Sequence, residues 1–384
     1  MTATVPVQTA SASYDVSIDS GLLQKLGETL KSHAPKAKRV YAVIDAGVPS
    51  ATVQPAFDSI REVGYELEAL TITPTEQAKS VESWYLILRA AAEARLDRGD
   101  VFVAIGGGIV GDMTGFAAAA YRRGVGVIQC PTTLLSMVDA SVGGKTGVNL
   151  GSSDGLLKNA VGLFHQPLAV VADTASLASL SPRDYRSGLA ECVKHSMLSA
   201  DFGDAEMHTW MTHHESQILA QDAGTLTELV RRNVTIKAQV VASDEHETAT
   251  GDMGRALLNL GHTFAHAIET LRGVSVEGST DECPITHGEA VALGLICACS
   301  LGEELGHVSG LTESVRERLT NLGLPAIAQG LPDSDEVLSR MAHDKKAQAG
   351  EMRFVVPIAE GRSRVVRDVP ESAIRTALEA IRPA

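Results

Sequence analysis

The segment Asn259-Leu260-Gly261-His262-Thr263-Phe264-Ala265-His266 sets two histidines four residues apart, and His287-Gly288-Glu289-Ala290-Val291 supplies a third downstream. A helical repeat of about 3.6 residues brings positions i and i+4 onto one face, so His262 and His266 can converge and a third histidine can close a metal site. Zinc takes imidazole nitrogen and carboxylate oxygen, and a catalytic zinc usually keeps three protein ligands with one position open to substrate. A histidine pair at this spacing also serves local hydrogen bonding without a metal, and spacing alone leaves both readings open.

The glycines suggest a second chemistry. Val101-Phe102-Val103-Ala104-Ile105 runs into Gly106-Gly107-Gly108-Ile109-Val110-Gly111-Asp112, a G-x-G-x-x-G where a strand-like run gives way to a helix-like one. Glycines let a backbone approach a pyrophosphate, and a helix N-terminus offers it N–H groups. The acidic ribose contact expected about twenty positions later is missing from Val125–Thr133, which leaves Asp45, at the end of Val40-Tyr41-Ala42-Val43-Ile44, as the alternative. A tight strand-to-helix turn without a ligand is the competing reading. Further on, Pro131-Thr132-Thr133 precedes Asp139-Ala140-Ser141-Val142-Gly143-Gly144-Lys145-Thr146. Gly-Gly-Lys-Thr is not a Walker A loop, because the first glycine of that pattern would have to occupy the place of Asp139. What survives is a glycine-rich turn presenting a lysine, suited to a phosphate or carboxylate.

These side chains need elements to position them. Candidate strands are Arg39–Val43, Glu66–Ile72, Val101–Ile105, Val125–Cys130 and Leu168–Ala172, alternating with candidate helices Gly21–Ser32, Val81–Ala94 and Asp112–Ala120. That alternation is the pattern of a parallel sheet with crossover helices. After Ser181-Pro182-Arg183 apolar residues recur at helical spacing in Tyr185–Met197, Leu226–Ala242, Arg255–Leu271, Gly288–Leu305 and Leu311–Leu322. The expected fold is an α/β Rossmann-like nucleotide-binding domain over residues 1–182 and an all-α, metal- and substrate-binding domain over residues 183–384.

A chain of 384 residues exceeds what one core usually covers, and 44% hydrophobic residues suffice for packed cores. No apolar run reaches the roughly 18 residues of a membrane span, and Met1–Tyr14 lacks the basic and apolar blocks of a secretory signal. A cytoplasmic protein with no membrane partner is expected. The five cysteines are odd in number and show no C-x-x-C spacing, so neither a disulfide framework nor a thiolate zinc site follows. A net charge of −14 argues against nucleic acid as a partner. A small anion remains possible where basic residues cluster locally.

Taken in order, GGGIVGD, PTTLLSMVDASVGGKTGVN, Lys158-Asn159, Gly188-Leu189-Ala190-Glu191-Cys192-Val193-Lys194, NLGHTFAHAIE, HGEAV and Asp344-Lys345-Lys346 resemble the 3-dehydroquinate synthases, a family of sugar phosphate cyclases. The resemblance runs from about Asp45 to Phe354 and implies a metal, zinc or else cobalt, on Glu191, His262 and His287. His266 then resembles a catalytic histidine beside the ligands instead of a ligand. The resemblance implies NAD held by Asp45, Glu76, Lys79, the turn Gly108, Ile109, Val110, Gly111 and Asp112, then Thr132, Thr133, Asp139, Lys145, Lys158 and Ser179. It also implies substrate or catalytic roles for Arg123, Asp139, Lys145, Asn159, Lys194, Lys237, Glu247, Arg255, Asn259, His266 and Lys346, with Lys346 preferred to Lys345. The implied substrate is a phosphorylated sugar acid, 3-deoxy-D-arabino-heptulosonate 7-phosphate, and the implied assembly a homodimer.

Three stretches depart from the family pattern: residues 150–157 before Lys158, residues 248–254 between Glu247 and Arg255, and residues 273–286 before His287. Surface-loop insertions cost stability only logarithmically with length, so their bearing is on substrate choice. Another sugar phosphate cyclase, a metal-dependent alcohol or glycerol dehydrogenase and a non-catalytic scaffold are the rival readings. The lysines Lys145 and Lys158 beside Asn159 favour a phosphate-eliminating cyclase over a dehydrogenase.

Overall fold

Helices cover both faces of a parallel sheet in the first part of the chain, which is why its inner strands are apolar without alternation. The computed structural model describes residues 2–152, 155–249, 254–279, 285–347 and 352–383, with the side chains of 155 and 343–347 outside that description. Two compact units emerge: Met1–Ser181 with Gln221–Ala238, and Pro182–Ala220 with Gln239–Ala384.

The first unit carries β1 (Ala3–Gln8), β2 (Ser13–Asp19), β3 (Arg39–Asp45), β4 (Glu66–Ile72), β5 (Val101–Gly106), β6 (Gly126–Pro131), β7 (Lys145–Ser152), β8 (Gly155–Phe164) and β9 (Ala169–Asp173). Its helices are α1 (Leu26–His33), α2 (Ser50–Glu62), α3 (Val81–Glu93) and α4 (Gly108–Ala120). The main sheet has the order β1-β2-β9-β6-β5-β3-β4. All neighbours run parallel except the edge pair β1 and β2. Because side chains alternate along a strand, Val40, Ala42 and Ile44 of β3 join a core with Leu30 of α1 and Ile60 of α2, while Tyr41 and Val43 join one with Ile87 of α3 and Met113 of α4.

From β3 the chain steps outward to β4, then returns to place β5 on the other side of β3. That reversal sets a topological switch point at the carboxyl ends of β3 and β5, where open α/β sheets receive ligands. Asp45 and Gly106 stand at those two ends.

In chain order there follow α5 (Pro182–Ser196), α6 (Met207–His213), α7 (Glu215–Leu219), α8 (Ala223–Ser243), α9 (His262–Thr270), α10 (His287–Glu304), α11 (Leu311–Asn321), α12 (Ser334–Ala347), a hairpin of β10 (Phe354–Ala359) and β11 (Arg362–Val366), and α13 (Glu371–Glu379). Helix α8 starts in the first unit and ends in the second. Helix α10 is buried from Gly288 to Gly302 and packs against α5, α9, α11, α13 and β10, so it is apolar all round, as a central helix must be.

The fold expected from sequence is present, and several elements are additions to it. The stretch Arg255–Leu271 is not one helix: a 3-10 turn, Arg255–Asn259, ends before Gly261 at φ 76, and α9 starts at His262. The glycine-rich segment after Gly144 continues as the hairpin β7–β8, and the helical second unit carries the hairpin β10–β11. Strands β1 and β2 and helix α2 are further additions in the first unit.

Candidate metal centre and nucleotide crevice

Three helices of the second unit meet where they carry glycine. At Gly288, the second residue of α10, a Cβ would lie 2.0 Å from the backbone oxygen of Ser187 on α5. At Gly294 a Cβ would lie 2.2 Å from the oxygen of Gly261, and at Gly261 one would meet the nitrogen of Leu295 at 2.9 Å. Only hydrogen fits at these positions. Helices α5, α9 and α10 therefore approach backbone to backbone, bringing together Glu191 on α5, His262 at the start of α9 and His287 at the start of α10.

One ligand atom from each of Glu191, His262 and His287 lies within 4.8 Å of the others. Glu191 Oε1 is 3.6 Å from His262 Nε2 and 3.8 Å from His287 Nε2. The second ring nitrogen of each histidine faces an acceptor: His262 Nδ1 is 3.2 Å from the Leu260 carbonyl, and His287 Nδ1 is 3.6 Å from Glu269 Oε2. A proton on each Nδ1 leaves each Nε2 lone pair for a cation. Burial, reinforced by the nearby Lys194 ammonium, pushes the His262 imidazole down to about 3, so it is neutral at physiological pH, as a ligand must be. Lys194, one turn beyond Glu191 and 1% exposed, is in direct contact with the Glu191 carboxylate. One carboxylate oxygen and two neutral imidazoles at this separation fit a tetrahedral zinc or cobalt with an open position.

His287 is fixed by its helix start. Thr286 caps α10, accepting from the Glu289 amide at 3.3 Å, while the Glu289 carboxylate accepts from the Thr286 amide at 2.8 Å. Arg183 of α5 grips that carboxylate through two contacts of 2.7 Å. Thr286-x-x-Glu289 is a capping-box pattern readable in the sequence, and reading it would have marked both residues as supports of His287.

His266 is half-buried on α9, its ring 5.5 Å from that of His262 and 6.4 Å from that of His287. Asn259 lies in the 3-10 turn before Gly261, off the helix that carries both histidines; its amide donates to Glu247 at 3.4 Å. Arg255 is 1% exposed, its guanidinium donating to the Glu245 carbonyl at 2.7 Å. Its amide shares the Asp244 carboxylate with those of Thr248 and Ala249, so one side chain holds the described residues on either side of 250–253. Residues 250–253 and 280–284 of the extended loops lie outside the described residues, as do the side chains of Lys345 and Lys346 on α12.

In the first unit, β5 passes directly into α4 through Gly107, the strand-turn-helix context that the glycine motif requires. The glycines also serve packing. A Cβ at Gly106 would meet that of Asp45 at 2.9 Å, and one at Gly107 would meet Thr133 Cγ2 at 3.2 Å. Asp45 accepts from the Gly47 amide at 2.8 Å, and the Thr132 amide donates to the Gly106 carbonyl at 2.9 Å. Asp45, Thr132 and Thr133 thus gather around the turn at the switch point.

A polar network joins several more of the expected residues. Lys79 donates to Asp112 at 2.6 Å and to Asn159 at 2.5 Å, and Asn159 holds a left-handed backbone at φ 52. Asn149, which the sequence reading gave no role, bridges the Glu76 carboxylate at 2.7 Å and the Asn159 amide at 2.8 Å. Burial pushes the Asp112 carboxyl up against the opposing pull of Lys79. Lys237, delivered by α8, pairs with Asp139 at 2.5 Å. Four more of the expected residues belong to the first unit. Lys145 begins β7 and Lys158 lies on β8, both exposed; Arg123 is exposed at φ 66; Ser179 bonds the Ser176 carbonyl at 2.7 Å.

Comparison with known proteins covers most of the chain. The profile for "3-dehydroquinate synthase N-terminal" matches residues 69–187 and that for "3-dehydroquinate synthase C-terminal" residues 188–347. A 3-dehydroquinate synthase from Nitrobacter hamburgensis is 40% identical over 381 residues, 97% of this chain and 94% of that one. Among solved structures, 2-epi-5-epi-valiolone synthase from Streptomyces hygroscopicus subsp. jinggangensis, with NAD+ and Zn2+ bound, aligns with a TM-score of 0.81 at 26% identity, over 96% of this chain and 97% of that one. A 2-deoxy-scyllo-inosose synthase complexed with carbaglucose-6-phosphate, NAD+ and Co2+ aligns with a TM-score of 0.80 at 22% identity, over 98% of this chain and 100% of that one, and shares the fold.

Proposed function

The chain belongs to the 3-dehydroquinate synthase family, and from that membership we infer that it converts 3-deoxy-D-arabino-heptulosonate 7-phosphate to 3-dehydroquinate and phosphate, a step of aromatic amino-acid biosynthesis. The reaction is a net phosphate elimination and ring exchange: transient oxidation at C5, loss of phosphate, re-reduction, ring opening and intramolecular aldol closure. The observation that carries the reading is the convergence of Glu191, His262 and His287 from three helices in a chain matched to the family from residue 69 to 347.

When bound, a divalent metal supplies a Lewis acid for the substrate hydroxyls and NAD a transient hydride acceptor. Glu191, His262 and His287 hold the metal, and Lys194 packs its ammonium against the Glu191 carboxylate. His266 and Asn259 orient or relay protons beside it. Lys145, Arg123 and Asn159 bind the phosphate; Lys237, Arg255 and Lys346 neutralise the carboxylate and order the hydroxyls, and Glu247 holds Asn259. Asp45, Glu76, Lys79, the Gly108–Asp112 turn, Thr132, Thr133, Asp139, Lys145, Lys158 and Ser179 form the NAD site. Support for that site comes from the position of Asp45 and Gly106 at the switch point.

The enzyme acts as a homodimer in the cytoplasm, where its phosphorylated substrate and NAD are retained by their charge. Among the described residues no helix is long and apolar enough to cross a membrane. The exposed apolar side chains of the β7–β8 hairpin, Leu150, Leu156, Leu157, Leu163 and Phe164, are 39–49% exposed and support a self-association surface. Light scattering giving a monomer mass at micromolar concentration would refute it.

The assay follows phosphate release and dehydroquinate formation with catalytic NAD+ and added zinc. Net NADH accumulation on a simple polyol would instead identify a dehydrogenase, and phosphate release only from another sugar phosphate a different cyclase. His262→Ala loses metal and turnover together, whereas His266→Ala keeps the metal and loses turnover; equal metal loss in both would overturn the division of roles.

A further inference from the structure

We propose that Glu269 is a positioning residue for the metal centre, fixing the ring of His287 and offsetting the charge of the cation. The inference rests on the reading that Glu191, His262 and His287 are the ligands. Helix α9 carries His262, His266 and Glu269 at i, i+4 and i+7, a single stripe along one face. His262 at the head of that stripe presents Nε2 to Glu191, and Glu269, two turns on, meets the far side of the neighbouring ligand, with its Oε2 3.6 Å from His287 Nδ1.

His287 is the most exposed of the three ligands, its side chain 35% exposed against 13% for His262 and 1% for Glu191. His262, 13% exposed, is held by the Leu260 carbonyl. His287 is held at its backbone by the capping box, which leaves ring rotation to be set by a side-chain partner. Glu269, 17% exposed, fills that role: its carboxylate, 3.6 Å from Nδ1, electrostatically favours the tautomer protonated there, whose Nε2 lone pair faces Glu191, and raises the donor strength of that nitrogen.

Charge balance points the same way. A divalent cation on one carboxylate and two neutral imidazoles leaves one excess positive charge, and the Lys194 ammonium against Glu191 makes it two. Glu269 lowers that excess without occupying a coordination position, so the open site stays available.

The test measures zinc affinity by competition with a chromophoric chelator, together with the visible spectrum of the cobalt-loaded protein and the thermal midpoint of the metal-free protein. Glu269→Gln keeps size and hydrogen bonding but removes the charge, and should weaken zinc binding about 10-fold; Glu269→Ala should weaken it about 100-fold and alter the cobalt band. Both should leave the metal-free midpoint unchanged. Affinity within twofold of wild type in both variants overturns the inference, as does an affinity loss matched by a fall in the metal-free midpoint, which would assign Glu269 to packing. His287→Ala tests the underlying reading separately: wild-type zinc affinity in that variant would mean the ligand set itself is wrong.

Discussion

Adding one methyl group at Gly288 tests whether helix contact, and not ligand identity alone, makes the metal centre. The Cβ of Gly288→Ala would sit 2.0 Å from the Ser187 carbonyl oxygen, a backbone atom that no rotamer change can move. Restoring a contact of about 3.4 Å requires α5 and α10 to separate locally by roughly 1.4 Å. Ser187 lies one turn before Glu191 and Gly288 immediately follows His287, so the separation falls on the ligand pair itself. Metal-ligand distances tolerate about 0.2 Å, so a displacement several times larger removes one ligand in effect. Overpacking costs about 1–3 kcal/mol, which a gain of up to about 1 kcal/mol in helix propensity partly offsets. The expected result is a modest fall in the thermal midpoint and a loss of zinc affinity of at least about 100-fold, larger than the stability change alone would produce. Chelator competition and metal content after dialysis measure it, with Gly99→Ala as control because a Cβ there meets nothing within 4 Å. Wild-type zinc affinity in Gly288→Ala would refute the argument that backbone contact sets the ligand geometry.

Lys79→Ala removes the cation from the part-buried Asp112 carboxylate, and should destabilise the protein by about 1–3 kcal/mol in chemical denaturation, while the Lys79→Met, Asp112→Asn double variant should cost less. A single-variant loss below about 1 kcal/mol would contradict this role for the pair. His208 on α6 is pushed down to about 4 by burial and by Arg318 beside it. Between pH 6.5 and 4 the unfolded chain therefore takes up a proton that the folded one refuses, and stability falls with pH by about 2 kcal/mol on reaching pH 5. His208→Gln should flatten the thermal midpoint across pH 7 to 5; an unchanged slope would show that His208 does not control it.

The inner sheet was legible because burial on both faces writes itself as continuous apolar runs, as in Val101–Gly106. Helix α2 was not, since Pro55 falls inside it and breaks the expected pattern. Strands β1 and β2 do alternate, with Val5 and Val7, then Tyr14, Val16 and Ile18, buried between polar or exposed neighbours, so that signal stood in the sequence unread; β7–β8 leaves leucines exposed and offers no such inward face. At Gly261 periodicity misleads: apolar spacing continues through Leu257, Leu258 and Leu260 although the backbone turns left-handed between them and α9. The site shows the same division. Spacing pointed to His262 and His266 as a pair, whereas the close ligand group is His262 with Glu191 and His287, distant in sequence and joined by glycine contacts that no local pattern reveals. Family resemblance supplied that set; the capping box at Thr286 was in plain view.

The return of Gln221–Ala238 to the first unit has a consequence for synthesis on the ribosome. When Ser181 emerges, the first unit still lacks the part of α8 that delivers Lys237 to Asp139. At about 5–20 residues per second, translation through Ala238 takes roughly 3–11 s more. Throughout that interval the nascent first unit stands incomplete, with its exposed leucine hairpin already made, and a fragment cut at residue 182 would be arrested in that state. The order of the chain thus makes the nucleotide-side unit a client of segments translated after it.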